Sequence, residues 1–261
     1  MIEYSIFNPA QGVGSCAGNA LDQLLVTESP EKTYSQMMRY RLAGNAAGDC
    51  RDVYFIATEN GECVSRLWHG WGRHADSIGN FGNFRTAESY KKRGIGRRLL
   101  SMWFEDLLQT PEKPLGLFCT SSELYLIDVY GKFGFRPALP EGPDGTPLYC
   151  PLGDSPATFR EFCEQYYAPV GGTLRFIPGS VGYRHEIDCL LKFSLLLERG
   201  ETLGLPSQVN CEAALLHPCN GKLEYLALEN DHIVGWSFTP ENGEREVQLH
   251  PAFREMYCDL Y

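Results

Sequence analysis

One segment restricts the possible folds of this chain more than any other. From Ile95 onward, Leu99, Leu100, Trp103, Phe104, Leu107 and Leu108 recur at helical spacing, and Thr110-Pro111 stops the run. An amphipathic helix is predicted there, and its apolar stripe needs a sheet or a second helix to cover it. Directly before it stands Tyr90-Lys91-Lys92-Arg93-Gly94-Ile95-Gly96-Arg97. Before that, Ser77 to Thr86 reads as a strand in which Gly79 and Gly82 mark a bulge or kink. A strand that passes through a glycine loop into a long helix belongs to mixed α/β architectures.

The flanking segments agree with that class. Residues 2–8 alternate as an opening strand, and residues 19–27 and 33–43 read as short helices around a small-residue loop from Gly44 to Gly48. Val53–Thr58 and Glu62–Trp71 are strands, and Asn60-Gly61 between them marks a tight hairpin. After the long helix come a strand at Leu115–Cys119, a helix at Glu123–Phe133 closed by Gly134, an extended stretch at Phe135–Pro140, a turn at Glu141–Thr146 and a strand at Leu148–Pro151.

Gly153-Asp154-Ser155-Pro156 reads as a boundary, dividing a first domain (1–153) from a smaller α+β unit (154–261). In the second unit Ser155 is the expected N-cap of a helix that lines up Phe159, Phe162, Cys163 and Tyr166. A second helix is expected at His185–Glu198, and strands at Glu224–Leu228, Ile233–Phe238 and Glu246–Leu249. The stretch from Leu226 to Trp236 echoes Ile56 to Ser65, which suggests a degenerate partial second copy of the first fold; chance similarity is the equal alternative.

Composition narrows the function. The chain of 261 residues carries 43% apolar residues, enough to bury a full core. No apolar run approaches a membrane-spanning length of about 18 residues, and the longest, around Cys189 to Leu197, is interrupted by Lys192. The ten cysteines show no C-x-x-C spacing, the histidines no metal-ligand spacing, and the start Met-Ile-Glu-Tyr no secretory pattern. A cytoplasmic protein with free thiols and no metal is expected. The net charge of −10 argues against nucleic acid and anionic membranes as partners. Against that background, the five cations in Lys91–Arg98 stand out. A glycine loop entering a helix aligns backbone N–H groups with the positive end of the helix dipole, so the pattern predicts an anion cradle, with Lys91, Arg93 and Arg97 adding formal charge. Neither the Walker loop nor the dinucleotide G-x-G-x-x-G pattern is present.

The segment Phe84–Leu100, FRTAESYKKRGIGRRLL, resembles the acetyl-coenzyme A loop of the GNAT superfamily of acyl-CoA N-acyltransferases. That loop reads Arg or Gln, two residues, Gly, one residue, Gly or Ala; Lys91 occupies the first position here as a conservative departure. A second likeness lies at Val129-Tyr130-Gly131-Lys132-Phe133-Gly134-Phe135, similar to the family's F-Y-x-K-x-G-F pattern with Val129 in place of the first aromatic. Together they place the resemblance over about residues 1–152.

The resemblance implies a GNAT-like fold with acetyl-CoA as cosubstrate. The Phe84-Arg85-Thr86 stretch would run beside pantetheine, and the N–H groups of Lys92, Arg93, Gly94, Ile95, Gly96 and Arg97 would hold the pyrophosphate. Acetyl would then pass directly to a primary amine of a small molecule or peptide, without an enzyme nucleophile. A lysine-like amine of pKa about 10.4 is only about 1 part in 2,500 neutral at pH 7, a handicap of roughly 4.6 kcal/mol that a base or water relay must absorb. Tyr130 is the implied acid for the leaving thiolate. For the base the candidates are Glu88, His74, Asp76 and His69, none of them marked by a motif.

Plainer readings stand beside these. Tyr130 is also a plausible core tyrosine, His69 and His74 ordinary strand or loop residues, and Trp68 and Trp71 hairpin packing. The acidic C-terminal unit would recruit a cationic acceptor, pack against the first, or pair subunits in a homodimer. The rival to an enzyme is a catalytically inactive coenzyme-binding or interaction module of the same fold.

Overall fold

A computed structural model describes residues 1–11, 16–27, 33–142, 145–168, 173–190, 215–216 and 221–258. The chain divides into two compact units, Met1–Arg73 with Asn80–Lys113, and His74–Gly79 with Pro114–Tyr261.

The first unit holds β1 (Ile2–Phe7), α1 (Cys16–Thr27), α2 (Thr33–Leu42), β2 (Cys50–Glu59), β3 (Glu62–Gly72), most of β4 (Ile78–Thr86) and α3 (Ile95–Gln109). Its strands follow one another in the sheet in chain order, and β1, β2 and β3 are antiparallel. The β2–β3 turn is the expected one. Asn60 and Gly61 both adopt positive φ, 54° and 82°, the conformation that matches the twist of a two-residue hairpin. Helix α3 buries Ile95, Leu99, Leu100, Trp103 and Leu107. Leu108, expected to share that stripe, is 60% exposed: one residue past Leu107 turns it about 100° away from the sheet. A second cluster, with Phe7, Leu21, Met38, Leu42, Tyr54, Ile56 and Trp68, packs α1 and α2 onto β1–β3.

Beside that cluster lies a charge pair that no local pattern announces. Arg41 and Asp52 are almost fully buried; Arg41 Nε donates to both carboxylate oxygens at 3.0 and 3.1 Å, and Trp68 Nε1 donates to Oδ1 at 2.8 Å. The guanidinium also lies over the Trp68 ring, 5.1 Å from its centroid. Gly70 makes room for all three, since a Cβ there would stand 2.6 Å from Asp52 Oδ1 and 2.7 Å from the indole.

The second unit holds β5 (Gly116–Ser121), α4 (Leu124–Gly131), β6 (Arg136–Pro137), β7 (Thr146–Pro151), α5 (Phe159–Tyr166), β8 (Arg175–Pro178), α6 (Arg184–Asp188), β9 (Gly221–Ala227), β10 (Ile233–Pro240), β11 (Glu246–Leu249) and α7 (Pro251–Arg254). Strands run β5-β7-β6 in one sheet and β11-β10-β9-β8 in another, with antiparallel pairing throughout both sets. The protein is therefore a mixed α/β chain with a smaller four-stranded sheet. Aromatic rings dominate this core: Phe118 stacks on Tyr149 at 5.0 Å and meets Phe159 and Phe162 at 5.4 and 5.7 Å.

Helix α5 corrects one expectation. Its N-cap is Thr158, not Ser155: Thr158 Oγ1 accepts from the Glu161 N–H while the Glu161 carboxylate accepts from the Thr158 N–H. A reciprocal T-x-x-E box satisfies two end groups at once and outcompetes a lone serine; Ser155 instead closes a turn onto the Leu152 carbonyl. Of the helix expected at His185–Glu198, α6 covers Arg184–Asp188, and residues 191–198 lie outside the described residues. Strand β8 and helix α7 carried no expectation; each is four residues long, too short for a period to show.

Candidate functional site

Strand β4 does not run straight into the loop. Asn83 sits at φ 51°, a left-handed residue inside a strand, and Arg66 Nε on β3 holds its Oδ1 at 2.8 Å. The expected kink thus falls one residue after Gly82, at an asparagine that tolerates this region better than most side chains. Beyond it, Ser65 on β3 fastens Phe84–Thr86: its hydroxyl donates to the Arg85 carbonyl at 3.0 Å and lies 2.8 Å from Thr86 Oγ1. Sequence reasoning missed Ser65, Arg66 and Asn83; only the turn-prone Asn83 carried a readable signal.

The loop then turns through a short 3-10 segment, Glu88–Tyr90, into α3. Tyr90 is pinned, its hydroxyl donating to Glu59 Oε2 at 2.7 Å while the Arg93 guanidinium lies 4.8 Å from its ring centroid. Lys92 at φ 63° and Gly94 at φ 79° are both left-handed, with Gly94 as the N-cap of α3. Left-handed residues in a tight loop of this kind can turn neighbouring N–H groups toward one side. Among the described residues, the N–H groups of Lys92, Arg93, Gly94, Ile95, Gly96 and Arg97 find no backbone acceptor; the helix ladder starts with Arg98 N–H onto the Gly94 carbonyl at 3.0 Å. Buried Ile95 anchors the turn, while Lys91–Gly94 and Arg97 are exposed. A Cβ at Gly94 would meet nothing within 4 Å, so the space above the loop is open. Gly96 differs, because a Cβ there would stand 2.9 Å from Phe84 Cζ.

The charges divide. Lys91 is compensated by Glu88 at 2.7 Å, whereas Lys92 and Arg97 have no carboxylate partner among the described residues. Glu88 is 87% exposed, and the Lys91 bond holds its carboxyl below the usual value, which makes it a weaker proton acceptor. The donor set of unpaired amides with Lys92, Arg93 and Arg97 suits a diphosphate.

The other candidate bases are engaged elsewhere. His69 on β3 is fully buried against α3: its Nδ1 accepts from Trp103 Nε1 at 3.1 Å, which puts the ring proton on Nε2, 3.4 Å from Asp106 Oδ2. Burial pushes its imidazole below the usual pKa. His74 belongs to the second unit, where its ring stacks on Tyr183 at 4.1 Å and its Nε2 meets Glu186 Oε1 at 2.9 Å. Asp76, at φ 52°, stands 3.8 Å from His232 Nε2 in the same unit.

Tyr130 also lies in the second unit, in the last turn of α4, and is buried. The residues after it end the helix in a recognisable way: the Gly134 N–H donates to the Gly131 carbonyl at 3.2 Å and the Phe135 N–H to the Tyr130 carbonyl at 3.3 Å, with Gly134 at φ 97°. This is a Schellman stop, and the accompanying apolar contact is the Tyr130–Phe135 ring pair at 5.9 Å. Gly134 and Phe135 therefore have a structural reason to be there, and they fix the backbone that carries Tyr130. Burial pushes the Tyr130 phenol well above its ordinary range, so it stays protonated at physiological pH. No helix among the described residues is long and apolar enough to cross a membrane, and no group of three or more metal-ligating side chains gathers among them.

Comparison with known proteins adds the family. No curated protein matches the chain. Among solved structures it is similar to an acyl-CoA N-acyltransferase from Pseudomonas aeruginosa, at 14% identity and a TM-score of 0.42 over 57% of this chain and 99% of that one. It is similar also to Escherichia coli ElaA, at 18% identity and 0.42 over 56% and 96%, and to a GNAT-family acetyltransferase from Staphylococcus aureus Mu50, at 14% and 0.39 over 58% and 100%. Residues 19–135, which include the loop and the Tyr130–Phe135 stop, match the model of the acetyltransferase (GNAT) family. The chain thus carries a GNAT acetyltransferase domain over residues 19–135.

Proposed function

We propose that the protein is an acetyl-CoA-dependent N-acetyltransferase that moves an acetyl group directly to a primary amine of a small molecule or peptide. The observation that carries this reading is the run of unpaired N–H groups from Lys92 to Arg97 at the start of α3. Amides without acceptors among the described residues, under open space at Gly94 and beside Lys92 and Arg97, are suited to the coenzyme diphosphate. Phe84, Arg85 and Thr86, fastened by Ser65, offer an extended edge to pantetheine. Residues 1–153 form the catalytic domain in this reading, and the acidic residues 154–261 favour a cationic acceptor.

The amine attacks the thioester carbon, the C–S bond breaks, and coenzyme thiolate leaves. One proton must go from the ammonium to a base and one must reach the thiolate. Tyr130, kept protonated by burial, is the donor in this scheme. Glu88 is the acceptor, directly or through water, and its ion pair with Lys91 must open before it can serve. That pair is also what favours the second reading, a module that binds the coenzyme without turnover. Release of free thiol from acetyl-CoA in the presence of a panel of primary amines tests the proposal. Amine-dependent release supports it, whereas coenzyme binding with no release for any amine leaves the module.

A further inference from the structure

A cavity of about 280 Å³ opens between β6 and the first turn of α5. Its floor is apolar, with Leu139, Tyr149 and Phe159 all buried, and Pro137 adds to its wall. Its rim is cationic, with Arg136 on one side and Arg160 on the other. The walls are built rather than incidental. Tyr149 Oη donates to the Pro156 carbonyl at 3.0 Å and Arg136 Nη1 to the Ala157 carbonyl at 3.3 Å, so the segment leading into α5 is tied down at two successive residues. Arg160 is exposed, and neither it nor Arg136 has a carboxylate partner among the described residues. Glu161 is already engaged in the Thr158 capping box, and the charged residues that line the pocket are the two arginines. In a chain of net charge −10, the stretch from 154 onward carries 8 basic and 16 acidic residues. Two arginines without acidic partners on the rim of one pocket are therefore unexpected for a merely solvated surface.

From this arrangement we infer that the pocket binds a small organic anion, one carboxylate or phosphate group carried on an apolar body. The guanidinium forks match the planar or tetrahedral oxyanion, while Leu139, Tyr149 and Phe159 take the apolar part. The volume of about 280 Å³ falls just below the usual range of ligand pockets, about 300–1,000 Å³, which sets the ligand near the size of an aromatic amino acid. The inference does not depend on the acetyltransferase reading.

Calorimetric titration of the full chain with N-acetyl-L-phenylalanine, phenyl phosphate and the neutral N-acetyl-L-phenylalaninamide tests it. At least one anion is expected to bind about tenfold or more tightly than the amide, the difference a charge-assisted contact supplies. Arg160→Gln is expected to remove that difference, and the comparison of the two anions identifies the preferred group. The difference must persist in Gly94→Asp, which separates this pocket from the loop before α3. Equal binding of amide and anions, no measurable binding of either anion, or unchanged anion binding in Arg160→Gln each overturns the inference. Arg136→Gln gives a second reading of the rim, and because exposed Arg160 bears no tie to the backbone, its variant keeps the test sound if Arg136→Gln fails to fold.

Discussion

The ring of Phe84 occupies the place a side chain at residue 96 would need, with Cζ only 2.9 Å from the ideal Cβ position of Gly96. The last residues of β4 and the first turn of α3 are therefore fitted to each other through a missing methyl group. Gly96→Ala must displace the Phe84 ring, which is a side-chain end and can move. We expect the fold to survive, with coenzyme affinity falling by about tenfold, measured by titration with acetyl-CoA. Unchanged affinity would mean that Phe84 takes no part in the site.

Gly94 makes a contrasting prediction. Nothing stands within 4 Å of a Cβ there, so the penalty for Gly94→Asp in the free protein is the left-handed backbone at φ 79°, about 1–2 kcal/mol. The carboxylate would occupy the open space above the unpaired amides. Acetyl-CoA should raise the melting temperature of the wild type and fail to raise that of the variant; a retained shift would place the diphosphate elsewhere.

Tyr130→Phe keeps the ring contact with Phe135 and the Schellman stop, and removes only the hydroxyl. Turnover should fall by about 10²–10⁴-fold while the acetyl-CoA dissociation constant stays within a factor of about two. If binding weakens and turnover does not, the hydroxyl is part of the packing. Gly134→Ala separates the backbone contribution: at φ 97° it should cost about 1–2 kcal/mol in stability, read by denaturant unfolding.

His69 ties stability to acidity. Its imidazole is held neutral by burial, with a folded-state pKa below the ordinary 6.5. Below pH 6.5 the unfolded chain takes up a proton there that the folded chain refuses, so the stability His69 contributes is complete above 6.5 and is lost as the pH falls toward the lowered value. His232, also pushed down by burial, acts in the same direction. Melting temperatures from pH 8 to 5 should decline below about 6.5, and His69→Gln should flatten the decline. Equal slopes in wild type and variant would remove His69 from the account.

Asp52→Ala would leave the Arg41 guanidinium buried without its carboxylate and should cost about 3–5 kcal/mol. Replacing both residues, Arg41→Met with Asp52→Leu, should recover most of that loss, since an apolar pair of similar size avoids desolvating two charges. Denaturant midpoints of the three variants give the comparison.

The contrast between legible and hidden features follows from distance along the chain. Asn60-Gly61, the stripe from Ile95 to Leu107 and the glycines of the loop act on their immediate neighbours, and each was readable. Thr158 was also readable by the same local chemistry, but Ser155-Pro156 offered a competing start, and only the Glu161 side chain decides between them. Arg41 with Asp52, His69 with Trp103, and Ser65 with Arg85 are contacts between residues 11 to 34 positions apart, which no period or motif encodes. The open amides of the loop were legible because they are consecutive and glycine-marked; the supporting residues on β3 were not, because they reach the loop across strands.

Glu186 has a bearing on how this chain can be cut. Its carboxylate is completely shielded from solvent, and one oxygen receives both the His74 ring, at 2.9 Å, and the Ile78 N–H, at 2.7 Å. Ile78 is the first residue of β4, the strand that leads to the glycine loop before α3. A truncated protein ending at residue 153 would keep every position matched by the family and still lose the acceptor that secures that strand's opening amide. Fragment expression would for that reason report on a frayed β4, and the acetyltransferase segment is best assayed with its C-terminal residues attached.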